Sequence, residues 1–196
     1  MVSGVIVAGT VHQGMQLLLG PDAVGNFKPV IIKDIHVNRL SQQFVCRPSS
    51  ATFQIKAVNH LNKMEKDDFR KGMCLLDARL APKASWRMDI EVQILHHATT
   101  ISPGYQAVLH CGIVRQCVNI NQMNKDILRN GQKGLVMCTF LYHAEYIKPG
   151  LQIMLREGRT KVIGKILTVY EAKLTKAEED EMIESLSKQT STELVK

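Results

Sequence analysis

The sequence predicts an all-β chain: two consecutive β-barrels, residues 1–81 and 82–170, followed by a short acidic tail over 171–196 that is helical or disordered. Three observations carry this. Short apolar or alternating runs succeed one another from Val5 to Val169, separated by turn-forming clusters of Gly, Pro, Asn, Asp and Ser. Within Trp86 to Leu95, Met88, Ile90, Val92 and Ile94 point one way and Arg87, Asp89, Glu91 and Gln93 the other, which defines a half-buried antiparallel strand. After Tyr170 the composition changes, and acids dominate.

Taken in order, the first barrel has predicted strands at Val5 to Val7, Met15 to Leu19, Val30 to Ile35, Ala51 to Val58 and Met73 to Leu76. Gly20-Pro21-Asp22, Gly25-Asn26 and Arg47-Pro48-Ser49-Ser50 mark turns between them. Gly4, Gly9 and Gly14 recur at an interval that a strand–turn–strand can use for sharp bends. Asn62-Lys63-Met64-Glu65 reads as a polar loop, and Ala81-Pro82-Lys83-Ala84 as a linker, because proline favours an extended entry and donates nothing to a ladder.

In the second barrel, His96 to Tyr105 is a loop after the clear strand. Further strands are predicted at Gln106 to Cys111, Gln116 to Ile120, Leu135 to Leu141, Gln152 to Leu155 and Lys161 to Val169, with a turn at Leu128 to Gln132. Met88, Met137 and Met154 are expected to point inward as core. In the tail, Thr175-Lys176-Ala177-Glu178 is a capping-box pattern, and Glu179 to Leu186 can follow as one helix. Its apolar side is limited to Met182, Ile183 and Leu186, so the tail is expected to be dispensable for folding.

With 196 residues, the chain suits one large domain or two domains of about 80–100 residues. Net charge is +7, unevenly spread: from Glu171 on, seven acids oppose four lysines, which leaves +10 on Met1 to Tyr170. A body that basic fits a nucleic acid or an acidic protein. Aromatic residues make up only 5%, so stacking platforms for single-stranded bases are scarce. The five cysteines form no Cys-x-x-Cys pair and are expected to be buried, reduced thiols in a cytoplasmic protein. No signal peptide opens the sequence and no apolar run approaches a membrane span, so no membrane partner is expected.

Candidate chemistry is sparse. Adjacent His96 and His97 would point to opposite faces of a strand and chelate poorly, so they read as solvated loop histidines. Cys111 with His110 or His143 lacks an orienting third group, so core packing is the expected role of Cys111. No catalytic residue and no metal or cofactor ligand is therefore assigned. The stretch that concentrates charge is Arg156-Glu157-Gly158-Arg159-Thr160-Lys161, set between the apolar runs Ile153 to Leu155 and Val162 to Leu167. It reads as a hairpin tip with three cations and one carboxylate, suited to a phosphate-rich partner or simply to solvent.

Two motifs add specificity. Gly4-Val5-Ile6-Val7-Ala8-Gly9-Thr10-Val11-His12-Gln13-Gly14 resembles the opening of the second domain of translational GTPases, with Val5 in place of the usual threonine. Leu155 to Lys161, followed by apolar-Gly164-x-Ile166, resembles the last hairpin of the third domain in the elongation factor Tu class. Phe69 to Leu75 resembles the second domain's closing strand, and Gly104-Tyr105 the entry to a third-domain strand. The wording of His96 to Pro103 and of Leu155 to Lys161 is similar to one branch, the GTP-binding protein one/two family.

The resemblance covers Val2 to about Tyr170 and implies a fold of domains two and three, joined in the parent protein to an N-terminal GTPase domain that holds GTP and magnesium. It implies that the second domain receives the aminoacylated 3′ end of tRNA beside Arg47 to Phe53, and that the third grips the tRNA backbone through Arg156 to Lys161 with Tyr105, in translation on the ribosome. Where elongation factor Tu has Gly-Tyr-Arg, this chain has Gly104-Tyr105-Gln106, one cation fewer beside the RNA, and Lys161 and Arg115 are the candidates to replace it. A phosphate loop needs Gly-x-x-x-x-Gly-Lys-Ser/Thr. The nearest match, at Gly164-Lys165, has Arg159 at the first glycine and Ile166 at the hydroxyl, so the fragment itself is expected to be a monomer that neither binds nor hydrolyses GTP. The alternative class is an interaction module that docks an acidic RNA-decay or ribosome-associated protein.

Overall fold

The structure, a computed structural model, describes residues 1–58 and 69–171, and the chain divides into two compact units, Met1–Ala84 and Ser85–Lys196. The loop expected at Asn62 to Glu65 and the expected tail helix lie outside the described residues. Among the described residues the regular structure is β, apart from a 3₁₀ turn at Ala78–Leu80.

The first unit contains β1 (Val2–Val5), β2 (Thr10–His12), β3 (Gln16–Gly20), β4 (Lys28–Val37), β5 (Leu40–Ser41), β6 (Phe44–Cys46), β7 (Ser50–Ala57) and β8 (Cys74–Leu76). One antiparallel sheet runs β1-β7-β4-β3-β8, with β5 paired to β4, and β2 and β6 form a separate ribbon. Among the described residues these ladders curl without closing into a ring. The expected strand at Val5 to Val7 is shifted toward the N-terminus: the ladder with β7 runs from Val2 to Val5, and beyond it Ile6 packs inward while Val7 is 81% exposed.

A bulge between Ile32 and Asp34 resets the face of β4. Val30, Ile32 and Ile35 all point into the core, where they pack with Leu17, Leu19, Val45 and Phe53, and Asp34 and His36 are left on the outer side.

The second unit is a closed antiparallel barrel of β9 (Arg87–His96), β10 (Gln106–Cys111), β11 (Val114–Met123), β12 (Lys133–Phe140), β13 (Gln152–Glu157) and β14 (Thr160–Tyr170), in the order β10-β11-β12-β9-β14-β13. The alternation read in β9 holds on its inner face: Met88, Ile90, Val92 and Ile94 are all buried. Each such aliphatic contributes about 1.5–3 kcal/mol of burial. Where β14 crosses β9, a Cβ on Gly164 would stand 2.6 Å from the Glu91 carbonyl oxygen, which explains a glycine inside an apolar run.

Two orientations differ from expectation. Arg87, expected on the solvated face of β9, is buried, with its guanidinium 4.4 Å from the centroid of the Tyr170 ring. Tyr170 in turn donates its phenol hydrogen to Asp89 at 2.5 Å. Met154, expected inward, is 39% exposed, because Ile153 and Leu155 take the inward positions of β13. Of the cysteines, Cys111 and Cys138 are buried, Cys74 and Cys117 are half-buried, and Cys46 is exposed, contrary to expectation, because it follows the inward Val45 on β6. Burial raises the thiol pKa at Cys111 and, together with Asp89, pushes Cys138 up to about 12, which leaves both as apolar packing groups.

Candidate nucleic-acid interface

β13 and β14 meet in a two-residue turn. Glu157 pairs with Thr160, and Gly158-Arg159 forms the tip. Gly158 has φ +53°, and Arg159 is not in the positive-φ region; glycine at the first central position is the pattern of a type II′ turn, whose twist matches that of the flanking strands. A side chain at Gly158 would be strained there.

The base of the hairpin is tied to two distant segments. The Tyr105 hydroxyl donates to Glu157 Oε2 at 3.0 Å and lies 3.1 Å from Thr160 Oγ1. Thr160 is buried, and its hydroxyl is 2.7 Å from His97 Nδ1. The His97 ring stands edge-on to Tyr105 at 5.2 Å. Asn130 holds the backbone of His97 from both sides: His97 N–H donates to Asn130 Oδ1 at 2.6 Å, and Asn130 Nδ2 donates to the His97 carbonyl at 3.0 Å. Burial raises the Tyr105 pKa; the Thr160 bond lowers it and the Glu157 carboxylate raises it again, for a net rise that keeps the phenol a donor. His97 is thus a half-buried support of the hairpin rather than a solvated loop residue.

Glu157 is bonded to Tyr105, and Arg156, Arg159 and Lys161 stand exposed, with no side-chain hydrogen bond or ion pair among the described residues. Arg156 and Lys161 face each other across the ladder. Arg115 lies opposite His110 on the neighbouring strand pair. Arg156 pairs with Val108, two residues from His110 on the same strand, and the His110 pKa is lowered, first by burial and then by the Arg115 and Arg156 charges. Sequence reasoning raised Arg115 only as a substitute cation, and no sequence signal pointed to His97 and Asn130 as supports.

Arg47 belongs to the first unit, so the predicted residues divide between two units. It is exposed, and its backbone N–H donates to the Gly9 carbonyl at 3.3 Å. The same unit has an open cleft of about 780 Å³ beside β1, β7 and the β4–β5 turn, lined by Ser3, His36, Asn38, Arg39, Ser50 and Thr52 among others. Ser50 to Thr52 fall inside the Arg47-to-Phe53 stretch singled out in the sequence. His36 Nε2 is 3.4 Å from Asp34 Oδ2, and Asp34 also accepts from Gln13 and Ser41 at 2.8 Å each. Asn38 and Arg39 both have positive φ (52° and 68°), the conformation of a type I′ turn, which is why an arginine can crown the cleft without a glycine to signal the bend. No group of three or more His, Cys, Asp or Glu side chains among the described residues is placed to hold a metal.

A closed antiparallel barrel with a cationic hairpin, preceded by a curled all-β unit, is the architecture of a translational GTPase-like region. Sequence comparison agrees. GTP-binding protein 1 of Xenopus laevis is 40% identical over 172 residues, 88% of this chain and 25% of that protein. GTP-binding protein 2 of Homo sapiens is 33% identical over 170 residues, 86% of this chain and 27% of that protein. Elongation factor 1-alpha of Cenarchaeum symbiosum (strain A) is 28% identical over 86 residues, 35% of this chain and 20% of that protein. No family model matches the chain. The chain is a translational GTPase-like region related to GTP-binding proteins 1 and 2, and it spans about a quarter of the length of these curated relatives.

Proposed function

We propose that this chain is the non-catalytic, RNA-engaging part of an elongation factor-like GTPase. Its second unit grips the tRNA backbone with Arg156, Arg159 and Lys161, joined by Arg115. Its first unit receives the aminoacylated 3′ end in the cleft crowned by Arg39. GTP and magnesium are held by an N-terminal GTPase domain elsewhere in the parent protein, which acts in the cytoplasm, on or near the ribosome. The observation that carries the reading is that Glu157 bonds to Tyr105, while Arg156, Arg159 and Lys161 stand exposed with no ion-pair partner among the described residues. Unpaired guanidiniums on a rigid turn form charge-assisted contacts to phosphate with little reorganisation.

The test uses Arg159→Ala. Tip exposure predicts an unchanged melting temperature, weaker RNA binding regardless of RNA sequence, and a slope of log affinity against log salt reduced by about one. An unchanged affinity and slope would remove the hairpin from the RNA interface. Isothermal calorimetry of the chain with GTP is expected to give no heat of binding; a micromolar site would contradict the assignment of nucleotide chemistry to another domain.

A further inference from the structure

The outer wall made by β9, β14 and β13 carries a feature that phosphate binding does not use. Four aliphatic side chains stand well exposed on it: Leu95 at 50%, Leu167 at 42%, Met154 at 39% and Ile163 at 38%. Met154 and Ile163 are direct cross-strand partners. Leu95 is the extra residue of β9 at the bulge where that strand meets Lys161 and Val162. Along β14 the outward positions read Lys161, Ile163, Lys165, Leu167, so cation and aliphatic alternate. Arg156 lies opposite Lys161, and Glu91, opposite Lys165, is an acid on the same wall.

A sugar–phosphate backbone gains little from four aliphatics, whereas a protein surface gains by burying them. The barrel is closed, so no strand can be added to it, and an extended segment laid across the wall would leave its own backbone groups unpaired. A helix satisfies its own backbone and can present a stripe. Ile163 and Leu167 lie about 13 Å apart along the strand, close to the 12 Å from i to i+8 on a helix.

We propose that this wall docks an acidic amphipathic helix of a partner protein. The helix's aliphatic stripe covers Met154, Ile163 and Leu167, and its Asp and Glu flanks meet Arg156, Lys161 and Lys165. The inference does not rest on the RNA reading, but it shares Arg156 and Lys161 with it, so helix and RNA compete.

The experiment places a photo-crosslinking amino acid at Leu167 of the full chain, irradiates it in cell extract, and sequences the adducts by mass spectrometry. The expected adduct is a protein segment with acids flanking an aliphatic stripe at helical spacing, and its yield falls at least tenfold in Lys165→Glu and in Ile163→Ser. Folding is checked by the melting temperature of each variant, and the exposed Lys165→Glu serves if Ile163→Ser unfolds. Adducts to RNA, to residues 171–196 of the same chain or to a second copy would overturn the proposal, as would no adduct above background or yields indifferent to both substitutions. Arg159→Ala leaves the crosslink in place, so the RNA reading can fail without this one, and the reverse.

Discussion

The two units handle strand edges differently. In the second, each of six strands has a partner on both sides. In the first, among the described residues, the main sheet ends at β1 and β8, and β5, β2 and β6 are short additions. Each candidate site takes its rigidity from its own kind of edge. The hairpin rises from a wall whose strands are paired on both sides, and a partly buried hydroxyl network ties down its base. The cleft sits at an open edge and is shaped by a two-residue turn and exposed hydrogen bonds. A closed wall suits gripping a regular backbone, whereas an edge cleft can adjust around a chain end.

The largest expected contrast between the units is at two glycines. Gly164→Val places a side chain against the β9 backbone, where even a Cβ would be 2.6 Å from an oxygen, so barrel closure itself is lost. The expected cost exceeds about 3 kcal/mol, beyond ordinary overpacking, with loss of a cooperative melt for the second unit. Gly4→Val in β1 meets nothing within 4 Å and should stay within about 0.5 kcal/mol of wild type by denaturant titration. Equal losses from the two would mean that the first unit is as tightly constrained as the barrel.

A milder contrast removes one hydroxyl from each unit. Tyr105→Phe leaves the half-buried base of the hairpin one donor short and frees Glu157 to pair with the arginines. It is expected to cost about 1–2 kcal/mol and to weaken RNA binding. Thr52→Val deletes the exposed 3.2 Å contact with Ser3 and should change stability by less than about 0.5 kcal/mol. If Tyr105→Phe leaves RNA affinity unchanged, the phenol does not govern the charge of the tip.

How much of this was legible follows the same division. β9 and β10 were readable because alternation over six or more residues fixes both strand and face, and β10 begins and ends at the predicted residues. The β13–β14 hairpin was readable because apolar runs flank a charged turn that contains a glycine. β2, β5 and β6 were not: they are two or three residues long, with at most one residue inward, too short to show a period. The hairpin's cations were visible as composition, but their freedom was not, since Tyr105 and Glu157 are 52 residues apart and only barrel closure brings them together. The cleft escaped for a different reason: its turn uses Asn38 and Arg39 at positive φ, and nothing in that dipeptide announces a bend as Asn-Gly would. Met154 misled because the outward wall is itself partly aliphatic.

The smallest expected effect separates the units by acid titration. His110, between Arg115 and Arg156, has its pKa lowered from the ordinary 6.5 by burial and by those charges. A histidine so placed binds fewer protons folded than unfolded, so stability of the second unit falls as pH drops below 6.5 and levels off once the lowered value is passed. In the first unit, Asp34 has its pKa lowered from 3.8, chiefly by the Ser41 hydroxyl, so its contribution is complete above 3.8 and is lost only as pH falls through the lower folded value. The His110 window opens at 6.5 and the Asp34 window only at 3.8. His110→Gln should flatten the mildly acidic part of the stability profile and leave the strongly acidic part intact; Asp34→Asn should do the reverse. RNA adds a second readout of opposite sign, because phosphate beside His110 favours the imidazolium, so binding tightens with acid in wild type and not in His110→Gln. If His110→Gln changes neither the stability profile as pH falls through 6.5 nor the pH dependence of RNA affinity, then His110 lies outside the field of the two arginines, and the basic wall ends at Arg156.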